Sequence, residues 1–156
     1  MVACIFIFPI TTHSDNSFLN TNSYKKYTVA AAKVMDYSEL TKNSFKYCSL
    51  AFLDMRQDIS DSYQSWLSRN ESIFQIAINF VDPPKKVQDT FNMVNSFYPL
   101  KTVTEVKKMR RLEQKIYCFD VMSYFDDHFS DVNIVLASEF QLLRPWCDIS
   151  FFPYKH

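Results

Sequence analysis

DYSELTKNSFKYCSLAFLDMRQDI, residues 36–59, is the stretch whose reading decides the fold of this chain. Phe45, Cys48, Phe52, Met55 and Ile59 recur at spacings of 3, 4, 3 and 4. At about 100° per residue all five fall within roughly 80° of one face, so the segment reads as an amphipathic helix with one buried stripe. Asp36 reads as its N-cap, and Glu39 three residues on completes a capping box.

Working outward, a helix is expected from about Tyr24 to Met35, through Ala30, Ala31 and Ala32. After the central stretch, Ser60 caps a helix carrying Tyr63, Trp66, Leu67, Ile73, Phe74, Ala77 and Phe80. Periodicity alone leaves Ile73–Val81 open to a buried strand. Asp82-Pro83-Pro84 marks a boundary and opens a helix through Val87, Phe91, Val94 and Tyr98, stopped by Pro99. Thr102 and Glu105 form a second capping box, opening a helix towards Phe129. Its apolar face changes along the way. Met109, Leu112, Ile116 and Phe119 lie on one side, and Val121, Met122, Phe125 and Phe129 lie more than about 100° round. Either the helix breaks near Phe119 and Asp120, or its halves pack on different neighbours. Ser130 or Asp131 caps a last helix through Leu143, ended by Pro145, where Val132, Ile134 and Val135 keep a strand open.

The expected fold class is therefore all-α: a compact bundle of five or six helices with a short extended apolar N-terminal segment. The alternative is α+β, with strands near 2–8, 73–81 and 132–137. Residues 1–156 are expected to form a single globular domain, with a polar loop at 11–23 and an aromatic C-terminal tail at 145–156.

Composition supports the helical reading. The chain of 156 residues has no glycine, where usual usage of about 7% predicts roughly 11. Phosphate-cradling loops and the G-x-S-x-G nucleophile elbow need glycine and are excluded. Tight two-residue hairpins lose their favoured chemistry, whereas helices suffer least. Lys+Arg and Asp+Glu both number 17, so the net charge is zero, which argues against non-specific nucleic-acid binding. No apolar run reaches the ~20 residues of a membrane span. The longest, Val2–Ile10, has no preceding basic residue and is not expected to be a signal peptide.

Cys4, Cys48, Cys118 and Cys147 show no CxxC and no zinc-ligand spacing. They are expected to be reduced thiols in a reducing compartment, cytoplasmic or nuclear. The one sequon, Asn70-Glu71-Ser72, lies within an expected helix, which weighs against glycosylation.

Candidate chemistry is sparse. The histidines are His13, His128 and His156. Cys118 and His128 stand ten residues apart, about 15 Å on an unbroken helix, too far for a nucleophile and its base. Asp126, Asp127 and His128, with Asp120 and Asp131, form the densest ligand-like cluster, but no Glu-x-x-His partner motif completes a di-metal site. Neither a cofactor nor a metal is expected. Glu139 sits between Val132, Val135 and Leu143, as an acid with a raised pKa or as half of an internal ion pair. Asn70 likewise interrupts an apolar stripe.

Two surfaces stand out. The aromatic ends, Cys4–Ile10 and Trp146–Tyr154, supply the candidate partner-binding residues Phe6, Phe8, Trp146, Phe151, Phe152 and Tyr154. The basic residues Lys101, Lys107, Lys108, Arg110, Arg111 and Lys115 supply a candidate nucleic-acid face. The combination of no glycine, many Phe, Tyr and Asn, and scattered cysteines resembles small accessory proteins of A/T-rich genomes, viral ones included. The leading expectation is a non-enzymatic helical protein-interaction module: an adaptor, host-factor antagonist or assembly factor with a protein partner or a second copy of itself. A nucleic-acid-binding protein using the basic face is the alternative, and a metal-dependent hydrolase or nuclease the third.

Overall fold

The structure, a computed structural model, describes residues 21–80 and 100–146. These residues are all-α. They form α1 (Thr21–Ala51), α2 (Arg56–Phe80), α3 (Val103–Lys107), α4 (Arg111–Asp126), α5 (Val132–Val135) and α6 (Ala137–Leu143), with no strand among the described residues. Short 3-10 turns at Leu53–Met55, His128–Ser130 and Arg144–Trp146 complete the path. The strand alternatives at 73–80 and 132–137 are thereby replaced by helix. The segment 2–8 and the expected helix through Val87 and Tyr98 lie outside the described residues, and α1 takes in residues 21–23 of the expected polar loop.

The two caps expected at either end of the decisive stretch are not helix starts. Asp36 lies inside α1 and Ser60 inside α2. Capping preference is local, and here the buried face of α1 (Ala30, Val34, Tyr37, Thr41, Ser44 and Cys48) continues unbroken past Asp36. The chain bends instead at Phe52, whose backbone is extended at φ −133° and ψ 90°. The five-residue stripe survives the bend. Cys48, Phe52, Met55 and Ile59 are buried, and Phe45 packs against the core.

A chain without glycine cannot end its helices on the usual left-handed glycine. This one turns at Phe52, Asp127 (φ −81°) and Leu136 (φ −121°), all at negative φ. The last carbonyls of α1, which have no partner within the helix, are taken by arginines. Arg56 Nε donates to Ser49 O at 3.0 Å, and an Arg111 terminal nitrogen donates to Ala51 O at 2.6 Å. The Arg111 guanidinium also lies 4.0 Å from the centre of the Phe52 ring, a cation–π contact at the corner.

Packing is led by α1 on α2, followed by α2 on α4 and α1 on α6. Trp66 is the centre of the core. It is fully buried, with the rings of Tyr37, Tyr63, Phe74 and Phe125 at 5.5–5.8 Å. Aromatic rings of this size dominate core burial, and their stacked, tilted and edge-on arrangement adds to it.

The expected long helix from Val103 to Phe129 is interrupted at Lys108–Arg110 and ends at Asp126. The Thr102–Glu105 capping box is present: Glu105 Oε2 accepts from Thr102 N–H at 2.8 Å, and Thr102 Oγ1 accepts from Glu105 N–H at 3.3 Å. These bonds from Thr102 hold the Glu105 carboxyl below the usual range. At Arg110, Glu113 Oε2 accepts the backbone N–H at 2.8 Å and Oε1 accepts the guanidinium at 2.6 Å, opening α4. The buried face of α4 is Tyr117, Cys118, Val121 and Phe125 along its length. The competing stripe turns outward: Leu112 is 71% exposed, Ile116 51% and Phe119 46%. Phe129 is exposed too.

One tie selects that phase. Cys48 and Cys118 form a disulfide between α1 and α4, with Cα atoms 5.5 Å apart. The expectation of four free thiols is corrected for these two; Cys4 and Cys147 lie outside the described residues. Beside the disulfide, Ser44 Oγ and Tyr117 Oη share a hydrogen bond of 2.9 Å.

Candidate functional site

The polar residues singled out in the sequence are mostly spent on the fold. Asp131 receives Arg69 Nε on both carboxylate oxygens, at 3.0 and 3.1 Å, and Asn70 Nδ2 at 3.2 Å. Asn70 also donates to Trp66 O at 2.8 Å and accepts the Val132 N–H at 2.8 Å, which satisfies the start of α5. Asn70 is 3% exposed with both amide atoms engaged, so the sequon is closed to modification in the folded chain. Asp127 accepts the Phe129 N–H at 2.9 Å, and exposed His128 reaches Asp131 at 3.3 Å. Among the described residues no three His, Cys, Asp or Glu side chains are arranged to hold a metal ion.

Glu139 proves to be half of an internal ion pair. Its Oε1 lies 2.6 Å from Lys33 Nζ. Burial pushes its carboxyl up, but hydrogen bonds from Lys33 and Ser138 outweigh burial and leave it below the usual range. Tyr37 is the buried counterpart. Burial, reinforced by neighbouring Tyr124, drives its phenol far above the usual value, and it stays protonated and donates to Ser130 O at 2.5 Å.

The basic face divides in two. Arg110 is paired with Glu113, Arg111 is held at the α1–α2 corner, and Lys115 Nζ lies 2.6 Å from Asp54. Arg111 and Lys115 tie α4 to the α1–α2 corner, and Arg110 stays local to the start of α4. Lys101, Lys107 and Lys108 remain exposed around α3. Of the aromatic ends, Trp146 is half-buried against Tyr27 and Phe80, at 5.7 and 5.2 Å between ring centres. Phe6, Phe8, Phe151, Phe152 and Tyr154 lie outside the described residues.

Tertiary structure builds a site that neither cluster predicts. A groove of about 390 Å³ runs between the C-terminal half of α1 and α3. Tyr47, Leu50, Ala51 and Val103 supply its apolar lining, and Lys46, Lys107 and Asn43 its polar lining. Leu50 is 68% exposed, on the side of α1 away from the core. Lys46 and Lys107 stand 61 positions apart in the chain, so no local pattern pairs them. The sequence did hold a partial signal. Tyr47 and Leu50 are apolar yet out of phase with the Phe45–Ile59 stripe, as the residues of a second, solvent-side face would be.

A second groove, of about 550 Å³, lies between the N-terminal half of α1 and α6, lined by Lys25, Lys26, Val29, Ala30, Lys33, Glu139 and Leu142. No helix among the described residues is long and apolar enough to cross a membrane. Comparison with protein-family models, with curated proteins and with solved structures finds no match.

Proposed function

We propose that this protein is a non-enzymatic helical protein-interaction module, an adaptor, antagonist or assembly factor, that receives the apolar face of a partner helix in the α1–α3 groove. The observation that carries this reading is Leu50, exposed over an apolar floor of Tyr47, Ala51 and Val103. Helix-in-groove recognition uses such a floor, with anchors from successive turns of the incoming helix. The viral-type accessory role rests on composition alone: no glycine and an excess of Phe and Tyr.

The nucleic-acid reading retains Lys101, Lys107 and Lys108 but loses Arg110, Arg111 and Lys115 to internal contacts. The hydrolase reading has Asp127, Asp131 and Glu139 engaged within the fold, while Asp120 and Asp126 stay exposed. As for location, the expected cytoplasm or nucleus is a reducing setting, against which the Cys48–Cys118 bond weighs only weakly. Free-thiol counts on protein taken from its native cell test that setting.

The test is a tagged pull-down with the wild-type chain and with Leu50→Glu, each with and without nuclease. A nuclease-resistant partner captured by the wild type and lost by the variant supports the module. Partners that vanish with nuclease move the function to Lys101, Lys107 and Lys108. Partners retained by Leu50→Glu remove the groove from the proposal.

A further inference from the structure

We infer that the α1–α3 groove selects an acidic amphipathic helix, whose apolar stripe lies on Tyr47, Leu50, Ala51 and Val103 while Asp or Glu on its two flanks meets Lys46 and Lys107. This rests on the interaction-module reading and specifies its partner. The argument is charge complementarity. The chain as a whole is neutral, yet the two helices that wall this groove carry lysine on both sides of an apolar floor.

Neighbouring charge reinforces the sign. Lys42 precedes Lys46 by one turn of α1 and is exposed. Lys101 and Lys108 flank α3 and are exposed. The exposed acids on the same elements are Glu39 and Glu105, Asp36 of α1 being half-buried. Glu105 is committed to Thr102, whose N–H and hydroxyl both donate to Oε2, at 2.8 and 2.7 Å. Five lysines against two acids leave the rim positive. A basic helix presented to this groove meets like charge on both walls, and an uncharged one leaves both lysines without a counter-charge. Like-charge juxtaposition is the stronger discriminator at such a surface.

Groove length sets the ligand scale. Asn43 to Ala51 spans nine residues of α1, a rise of about 12 Å, or just over two turns of an incoming helix. That length matches apolar anchors at i, i+3, i+4 and i+7.

The probe is a pair of synthetic helical peptides with identical leucines at those four positions, one with Glu on both flanks and one with Lys. Binding to the full-length, disulfide-bonded protein is read by fluorescence anisotropy. The Glu peptide is expected to bind about tenfold more tightly than the Lys peptide at low salt, from two rim pairs gained and two repulsions avoided. The preference should shrink towards about 1 M salt, where the Debye length is ~3 Å. The double variant Lys46→Glu, Lys107→Glu, with unchanged melting temperature, should reverse it, and Lys46→Gln, Lys107→Gln should abolish it. Equal affinity for both peptides, binding of neither, or an acid preference that survives charge reversal overturns the inference. If a nuclease-resistant partner is still lost by Leu50→Glu while the peptides show no preference, the interaction module stands and its acidic selectivity does not.

Discussion

Lys33 on α1 and Glu139 on α6 meet at 2.6 Å from positions 106 residues apart, and Ser138 Oγ donates to the second carboxylate oxygen at 2.7 Å. The pair closes the bundle between its first and last described helices. Because the Glu139 carboxyl titrates below its ordinary value of 4.5, the folded state holds its charged form more strongly than the unfolded chain does. The stability this adds is fully present above that ordinary value and is lost as pH falls through the lower folded value. Melting temperatures of the wild type should therefore drop more steeply below about pH 4.5 than those of Glu139→Gln. At neutral pH, Glu139→Ala should cost about 1–2 kcal/mol in chemical denaturation.

Reduction is the second test of the fold. The Cys48–Cys118 bond closes a separation of 70 residues, and chain-entropy arguments give such a closure about 4 kcal/mol. For a chain of this size that corresponds to roughly 10 °C in melting temperature. Reductant, or the double variant Cys48→Ser, Cys118→Ser, should lower the melting temperature by that order. An identical melt with and without reductant removes the disulfide from the account of stability.

Asn70→Ala should destabilise the protein by about 1–3 kcal/mol, because the Val132 N–H loses its acceptor in a buried setting. Asn70→Asp should be at least as damaging. It keeps an acceptor but loses the donation to Trp66 O and brings a second carboxylate against Asp131. Equilibrium urea unfolding reads both.

The outward phase of α4 predicts a contrast between two kinds of apolar residue on one helix. Leu112→Gln and Ile116→Gln should each change stability by less than about 0.5 kcal/mol, since both side chains are largely in solvent. Val121→Ala, at a fully buried position, should cost roughly 2 kcal/mol. Costs reversed between the two kinds of site mean that the helix packs in the other phase.

The legible parts of this chain were those carried by local patterns. The Cys48–Ile59 stripe, the Tyr63–Phe80 helix and the Thr102–Glu105 box are where the spacing of residues predicts them. The misread parts were contests between equal local signals. Asp36 and Ser60 have the chemistry of caps, but the buried faces that continue past them win. On α4, Leu112-Ile116-Phe119 and Tyr117-Val121-Phe125 are both helical stripes, and only the second meets α1 and α2. The α1–α3 groove was the least legible feature, since its two lysines come from helices far apart in the chain.

Residue spacing and the absence of glycine were enough, by themselves, to favour a helical protein, because helix period and backbone freedom are properties of adjacent residues, but they left strands open at 73–81 and 132–137. Tertiary structure alone decided where α1 ends, which face of α4 is buried, that Cys48 joins Cys118, and that Lys46 and Lys107 flank one groove. Each of those outcomes depends on partners some 60 or more residues away, such as Arg111 capping Ala51. No local pattern encodes which distant group will satisfy a carbonyl, a thiol or a charge.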